Sequence, residues 1–210
     1  KKTLLVSIAA LICAAAFSQN GNFRSVASGP WENASTWERD ADSNGTFEDS
    51  PADMAPTVTD GTITIRSGHV VRIFSNISID QIIVENGGRL AINTTNVIVA
   101  NGAGIDLLNF GTVSTGNSSQ LTFSAFAEFE HRKNGGSLPL ATWQENSICT
   151  ISGVTTGPPA NLAQTAPGFY TFNWNCQNQS TTVYLDGNLI NIQSDLNVLN
   201  TNNFILNFSG

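Results

Sequence analysis

The chain has 210 residues, of which 40% are hydrophobic and only 12% are charged, and its formal net charge is −7. Asn, Ser and Thr together supply nearly a third of the chain, whereas Lys is rare. Such a chain lacks the Ala, Leu, Glu and Lys that solvated helix faces require, and its low charge disfavours intrinsic disorder. Its acidity also disfavours nucleic acid as a partner. The remaining class is all-β, and the length suits one domain.

The first 18 residues have the pattern of a secretory signal peptide. Lys1 and Lys2 precede a mostly apolar run from Leu4 to Ala16, and small residues follow at Ala16 and Ser18. The run is shorter than the ~20 apolar residues that span a bilayer. The sequence therefore predicts a secreted or outer-cell-surface protein with no transmembrane segment in the mature chain.

Residues 19–57 are expected to form an N-terminal cap that contains Trp31, Trp37 and an acidic loop. Oxygen ligands at alternate positions of this loop precede Gly45, as in calcium-binding loops. Pro51, however, stands where such loops carry a bidentate Glu. The loop therefore predicts either a structural Ca²⁺ site or a solvated acidic turn. The candidate ligands are Asp40, Asp42, Asn44, Thr46, Glu48 and Asp53.

Residues 58–210 repeat a short unit in which a β-branched strand ends in a polar residue and a glycine. Three copies begin at Ile63, Ile82 and Val97, and second strands are expected at Val70–Ile73, Leu90–Ile92 and Ile105–Leu108. Close, recurring units of this kind favour the coils of a solenoid, with the strands of all three copies stacked on one face. A β-sandwich or jelly roll is the alternative all-β fold.

Asparagine is expected at the corners of the coils, because its side chain tolerates left-handed backbone and bonds to its own turn. On this pattern Asn86 and Asn101 would stack at equivalent corners, each followed by a glycine with positive φ. The last unit ends on a strand, so we expect the solenoid to continue beyond residue 210.

Residues 121–133 hold the second set of candidate site residues. Glu128 and Glu130 lie two residues apart on an expected strand, so their carboxyl groups would share a face and could form a glycosidase-like pair. The alternate positions of this strand are apolar and are expected to face the core. The simpler interpretation is therefore that the two glutamates lie on its outward, solvated face. His131, Arg132 and Lys133 form the basic cluster of this acidic chain, which could hold an acidic sugar or be a solvated loop.

Cys149 and Cys176 remain after removal of the signal peptide, which contains Cys13. An even pair in an exported protein predicts a disulfide, and two buried free thiols are the alternative.

Three stretches resemble secreted right-handed parallel β-helix surface proteins of the Bacteroidota type, which are often adhesin-like. They are Gly29–Trp37, Asp60–Val71 and Ile82–Leu90, and similar coils follow at Ser147–Gly153 and Phe172–Cys176. The resemblance implies a right-handed parallel β-helix and a non-catalytic structural or adhesive role, with surface glycans or cell-surface proteins as partners. The alternative function is a carbohydrate-active β-helix enzyme, either a polysaccharide lyase or a glycosidase.

Overall fold

The computed structural model describes residues 21–93, 95–116 and 120–209, and the predicted signal peptide lies outside them. Apart from one 3₁₀ turn at Ala34–Thr36, the regular structure of these residues is entirely β. The strands are β1 (Asn22–Ser25), β2 (Gly29–Pro30), β3 (Trp37–Asp40), β4 (Ile63–Ile65), β5 (Val70–Ile73), β6 (Ile77–Ile79), β7 (Ile82–Val84), β8 (Arg89–Ile92), β9 (Asn96–Val99), β10 (Leu107–Asn109), β11 (Thr112–Thr115), β12 (Gln120–Phe123), β13 (Glu128–His131), β14 (Thr142–Trp143), β15 (Ile148–Ile151), β16 (Phe169–Asn175), β17 (Val183–Tyr184), β18 (Ile192–Asn200) and β19 (Leu206–Asn207).

The strands form the sides of a parallel β-helix. Sheet A has nine strands in the order β18-β16-β15-β13-β10-β7-β4-β1-β3, sheet B is β11-β8-β5-β2 and sheet C is β14-β12-β9-β6. A short sheet D pairs β17 with β19. In the central coils the chain visits sheets A, B and C in turn, and pairing within each sheet is parallel. The predicted β-helix is therefore confirmed, and the sandwich alternative is not the fold.

The core is an apolar column built from equivalent positions of successive coils. In sheet A, Ile63 pairs with Ile82 and Ile82 with Leu107, so the second of these coils is longer than the first. The column continues through Phe129, Cys149 and Phe172, and all of these side chains are at most 1% exposed. Burial of each aliphatic or aromatic side chain contributes roughly 1.5–3 kcal/mol.

The interior changes along the axis from aliphatic to aromatic. In the later coils Phe123 stacks on Trp143 with ring centroids 4.2 Å apart, and Trp143 in turn lies 5.1 Å from Phe169. Aromatic side chains therefore fill the interior of the later coils, where aliphatic side chains fill that of the central coils.

The predicted stacking of the third unit was wrong. Val97 and Val99 lie in β9 of sheet C, where they pair with Ile77 and Ile79, and Leu107 takes the position above Ile82. Each central coil has three strands rather than two, so strands of similar composition belong to different sides. The expected second strand Ile105–Leu108 accordingly overlaps β10 of sheet A.

The predicted asparagine corner ladder was also wrong. Asn86 follows sheet A and Asn101 follows sheet C, so the two residues occupy different corners. An amide pair between coils lies instead on the outer face of sheet A, where the Asn197 side chain donates to Asn173 Oδ1 at 3.0 Å.

The turn that follows each sheet A strand, which leads into sheet B in the central coils and which we call the glycine corner, brings successive coils into backbone contact. A Cβ on Gly88 would lie 2.8 Å from the carbonyl oxygen of Ile65, and one on Gly111 would overlap the carbonyl oxygen of Gly88. Gly153 is packed equally closely against the backbone of Arg132. These glycines are required by the lack of space between coils rather than by a positive φ.

The predicted disulfide is contradicted, because Cys149 and Cys176 are buried free thiols. Cys149 pairs with Phe172, four residues before Cys176. Four residues of strand span ~13 Å, which is well beyond the Cα separation that a disulfide bridges. The Cys176 thiol donates to the Ile151 carbonyl at 3.4 Å, and burial raises the pKa of Cys176 to about 11.

The two ends of the coil stack differ. At the N-terminal end β3 pairs antiparallel with β1, and the rings of Trp31 and Trp37 meet edge to face with centroids 4.9 Å apart. The expected tryptophan-containing cap is present. At the other end, β18 is the last strand of sheet A in the described part of the chain, and most of its residues are exposed.

Candidate functional site

Strand β13 carries three of the five predicted ligand-contact residues, and the structure separates them. Glu128 and Glu130 are two residues apart on this strand, as predicted. His131 is fully buried: its Nε2 lies 2.9 Å from the Gly135 carbonyl and its Nδ1 lies 3.4 Å from Asn109 Nδ2. His131 therefore belongs to the interior, and its prediction as a surface ligand contact was wrong.

The electrostatics of His131 agree with an interior role. Burial lowers the pKa of His131; the bond to the Gly135 carbonyl opposes this shift and the charge of Lys133 adds to it. A neutral imidazole that donates from Nε2 and accepts at Nδ1 satisfies both contacts. Lys133 donates to the Gly111 carbonyl at 3.3 Å. The predicted basic cluster of His131, Arg132 and Lys133 therefore does not form one continuous surface.

A polar groove of about 470 Å³ lies beside the glycine corner of the later coils. It combines a carboxylate, a guanidinium, a hydroxyl, three amides and an aromatic ring above a glycine floor. The lining residues are Phe110, Glu130, Arg132, Ser152, Gly153, Asn175, Gln177 and Asn178. They come from sheet A strands or from the turns that follow those strands, so the parallel register brings distant segments together.

Glu130 organises the groove. Arg132 donates two hydrogen bonds to its carboxylate, from Nε to Oε1 at 2.6 Å and from NH2 to Oε2 at 2.9 Å. The Ser152 hydroxyl, one coil away, donates to Oε1 at 2.5 Å. The bond to Glu130 raises the pKa of Arg132, which therefore stays charged. Its guanidinium carbon lies 5.7 Å from the centroid of the Phe110 ring.

Glu128 and Glu130 do not form a glycosidase-like pair of carboxyl groups in this groove. Glu130 lines it but is occupied by Arg132 and Ser152, and Glu128 is not among the lining residues. Burial, with the charges of Asp106 and Glu130, raises the pKa of Glu128. This carboxyl group therefore interacts with the acid Asp106 of the preceding coil and does not line the groove.

The acidic loop brings together part of the predicted calcium ligand set. Oxygen atoms of Asp40, Asp42 and Glu48 all lie within 4.8 Å of one another. Asp40 is buried and accepts bonds from the backbone N–H groups of Asn44 at 3.0 Å and Gly45 at 2.9 Å. Burial opposes ionisation of Asp40, but the bonds from Gly45, Asn22 and Asn44 outweigh it and lower its pKa.

The remaining predicted Ca²⁺ ligands form hydrogen bonds or ion pairs with neighbouring residues. The Asn44 amide nitrogen donates to Asp42 at 2.9 Å, while its oxygen accepts from the Thr46 N–H at 2.7 Å. Asp53 forms an ion pair with Arg39 at 3.9 Å. If each binds through one oxygen, these three carboxylates supply three of the six to eight oxygens of a Ca²⁺ shell. The calcium site stays a prediction.

Sequence reasoning missed most of the groove. Ser152 and Asn175 lie in stretches that resemble β-helix coils, but nothing in those stretches marks them as ligand contacts, and Gln177 and Asn178 belong to no motif. All four line the groove with Glu130 because their coils are stacked. A signal was present in the spacing of Glu130, Ser152 and Asn175, each of which follows the one before by about one coil length. To find these groove residues from the sequence, one must first know how many strands each coil contains.

Among the described residues, no helix is long and apolar enough to cross a membrane. A scan against protein-family models and searches of the curated proteins and of the solved structures return no match.

Proposed function

We propose that the protein is a secreted or cell-surface, non-catalytic β-helix module that binds glycans in the groove of Glu130 and Arg132. The observation that carries this proposal is the set of fixed hydrogen-bonding groups beside an aromatic ring. The signal-peptide pattern and the resemblance to adhesin-like surface proteins support the location and the adhesive role.

The groove has the chemistry that saccharides require. Each sugar hydroxyl donates and accepts, and each amide of Asn175, Gln177 and Asn178 offers two donors and one acceptor. Gln177 and Asn178 are exposed at the rim. The ring of Phe110 adds an apolar surface for the C–H face of a sugar. A few oriented polar groups around an apolar wall are typical of ligand sites.

The charge balance favours neutral over acidic sugars. Arg132 carries the positive charge of the groove, and Glu130 neutralises it through two bonds. The chain as a whole has a net charge of −7, which repels polyanions. A ligand rich in uncharged hydroxyl groups therefore fits better than the uronate that the basic cluster suggested.

The hydrogen bonds of Glu130 support a binding role. A general acid or nucleophile must be free to exchange protons with, or to attack, the substrate. Glu130 instead accepts from Arg132 and Ser152, which leaves it to orient the guanidinium. A carbohydrate-active enzyme has no specific support from this arrangement.

The test is glycan-array screening of the mature protein, followed by calorimetry with the best neutral oligosaccharide. We expect Gln177→Ala and Asn178→Ala each to weaken binding about fivefold, the worth of one hydrogen bond. Asn86→Ala is the matched control, because Asn86 is an exposed amide at the same corner but outside the groove. The control should bind like the parent chain.

Two results would overturn the proposal. One is equal affinity of parent and groove variants for every bound glycan. The other is the appearance of unsaturated or shortened products after incubation with polysaccharides, which would establish the enzyme alternative.

A further inference from the structure

Two carboxyl groups are buried against each other at the turn from sheet C to sheet A, which we call the acid corner. Asp80 is 8% exposed and Asp106 is fully buried, and the two side chains approach the same glycine: the Gly102 N–H donates to Asp106 Oδ1 at 2.7 Å, and Asp80 Oδ2 lies against the Cα of Gly102. Two carboxylates cannot share a hydrogen bond unless one of them carries a proton. Because both acids are buried at the same glycine, a proton shared between them would remove one of two adjacent buried charges.

The surrounding bonds indicate where that proton resides. Asp106 accepts at both oxygens, from the Gly102 N–H at 2.7 Å and from the Glu128 N–H at 2.7 Å. Asp80 accepts at Oδ1 from the Gln81 N–H at 2.7 Å. Its Oδ2 lies over the Cα of Gly102, so closely that a Cβ there would overlap it. The Oδ2 of Asp80 is thus placed to carry the shared proton.

Two further acidic residues lie near the pair. Glu128 interacts with Asp106 from the following coil, and Asp60 lines the same cavity of about 420 Å³ as Asp80. The ion pairs among the described residues lie elsewhere, with Glu38, Asp53 and Glu130 as their acids. Removal of the proton would place two negative charges in contact at a buried site.

We propose that the acid corner is a proton-dependent latch that joins the coil of Asp80 to the coil of Asp106. In its protonated form the two side chains bond across the coils. In its deprotonated form they repel each other and loosen the turn beside the cavity. Exposure of Asp80 to that cavity gives solvent protons a route to the site.

The direction of the pH dependence follows from the titration of Asp80. Burial, the bond to Asp106 and the charge of Asp106 raise the pKa of Asp80 from 3.8 to about 7. Between pH 3.8 and about pH 7, Asp80 is protonated in the folded chain and ionised in the unfolded chain. The contribution of the latch is therefore greatest below about pH 4, falls as the pH rises towards 7 and levels off above it.

The experiment is urea unfolding of the mature protein at pH 5, 6, 7 and 8. In the parent chain we expect the unfolding equilibrium constant to increase as the pH rises from 5 to 7, by at most about tenfold per pH unit. Asp80→Asn should remove this increase, because the amide donates to Asp106 at every pH. Asp195→Asn is the control: Asp195 is an exposed acid outside both candidate sites, and the variant should keep the parent dependence.

A second measurement needs no variant: the ¹³C carboxyl resonances of the Asp residues, followed from pH 3 to 9. One Asp resonance should titrate far above the ordinary range and should disappear in Asp80→Asn. The latch is excluded if every Asp carboxyl titrates near pH 4, or if Asp80→Asn keeps the parent pH dependence. Restoration of the stability at pH 8 by Ca²⁺, in the parent chain and not in Asp80→Asn, would overturn it in favour of a cation site.

Discussion

The glycine corner and the acid corner hold the same stack of coils together by different physical means. At the glycine corner, the backbone of Gly111 rests on that of Gly88, and the buried acid of the adjoining groove, Glu130, is paired with Arg132. At the acid corner, the buried acid Asp80 faces the acid Asp106. Coil spacing is fixed by steric contact at one corner and depends on a proton at the other.

This difference shows that burial of a carboxylate does not by itself decide its effect on stability. Glu130 and Asp80 are both 8% exposed, yet the first has a cation and a hydroxyl as partners while the second has another acid. A buried charge is tolerated when partners replace the lost water, and otherwise it takes up a proton. The two corners should therefore respond oppositely to the same substitution.

The largest expected effect is that of Gly111→Ala. The new methyl group would overlap the carbonyl oxygen of Gly88, which is backbone and cannot rotate away, so two coils must separate. We expect a loss of about 3 kcal/mol in the free energy of unfolding, at the upper end of overpacking effects, measured in urea. Gly45→Ala is the control, since a Cβ there meets nothing within 4 Å and adds only the strain of its φ of +93°. Equal losses in both variants would show that coil contact does not fix the spacing.

Neutralisation of one acid at each corner should give opposite signs. At pH 8, Glu130→Gln should lower the free energy of unfolding by about 1 kcal/mol, because Arg132 loses its partner while staying partly solvated. Asp80→Asn should raise it by about 1 kcal/mol, because an uncompensated buried charge is removed. Parallel urea titrations check this pair. A shift of the same sign in both variants would contradict the different electrostatic environments of Glu130 and Asp80.

The acidic loop is a third environment for carboxylates, in which buried Asp40 lies beside exposed Asp42 and Glu48. If the predicted Ca²⁺ binds Asp40, Asp42 and Glu48, saturating Ca²⁺ should raise Tm by about 3 °C, and Asp42→Ala should abolish that increase. Calorimetric scans with Ca²⁺ and with chelator provide the measurement. Identical Tm values in the two solutions would identify the loop as a solvated turn.

The smallest expected effect is that of a reducing agent. Cys149 and Cys176 are buried free thiols four residues out of register, and burial raises the pKa values of both. Tm should therefore be unchanged by reductant, and a thiol-specific reagent should label both cysteines only after unfolding. A reductant-dependent drop in Tm would contradict the observed register.

The solenoid was predictable because its signal is local. The strands of Ile63 and Ile82 alternate between buried and more exposed residues, lead into positive-φ glycines at Gly68 and Gly87, and do stack as expected. These features follow from hydrophobic periodicity and turn chemistry, which act within a few residues.

The register of the coils could not be derived in the same way. Val97 has the same β-branched surroundings as Ile82, yet it lies on another side of the helix, since the side is set by the lengths of the intervening turns. The composition of a strand does not encode the sheet to which it belongs. Gly102, predicted to supply a positive φ, instead makes room for Asp80, which is a contact between coils.

The candidate site depends on that register and was therefore only partly predictable. Glu130 and Arg132 stood out as charges in a chain with few of them. Asn175 and Gln177 are ordinary members of an asparagine-rich sequence, and only stacking above Ser152 gives them a role. The same limit explains the acid corner, where Asp80 and Asp106 lie a full coil apart in the chain.

The close packing at the glycine corner fixes the backbone of the groove, whereas the side chains at its rim can be replaced. Gly153 forms its floor in contact with the backbone of the preceding coil, where any side chain would force the coils apart. Gln177 and Asn178 stand at the exposed rim, where substitutions leave the core untouched. For the proposed glycan site this means that ligand preference could be changed by replacing rim side chains on an unchanged scaffold.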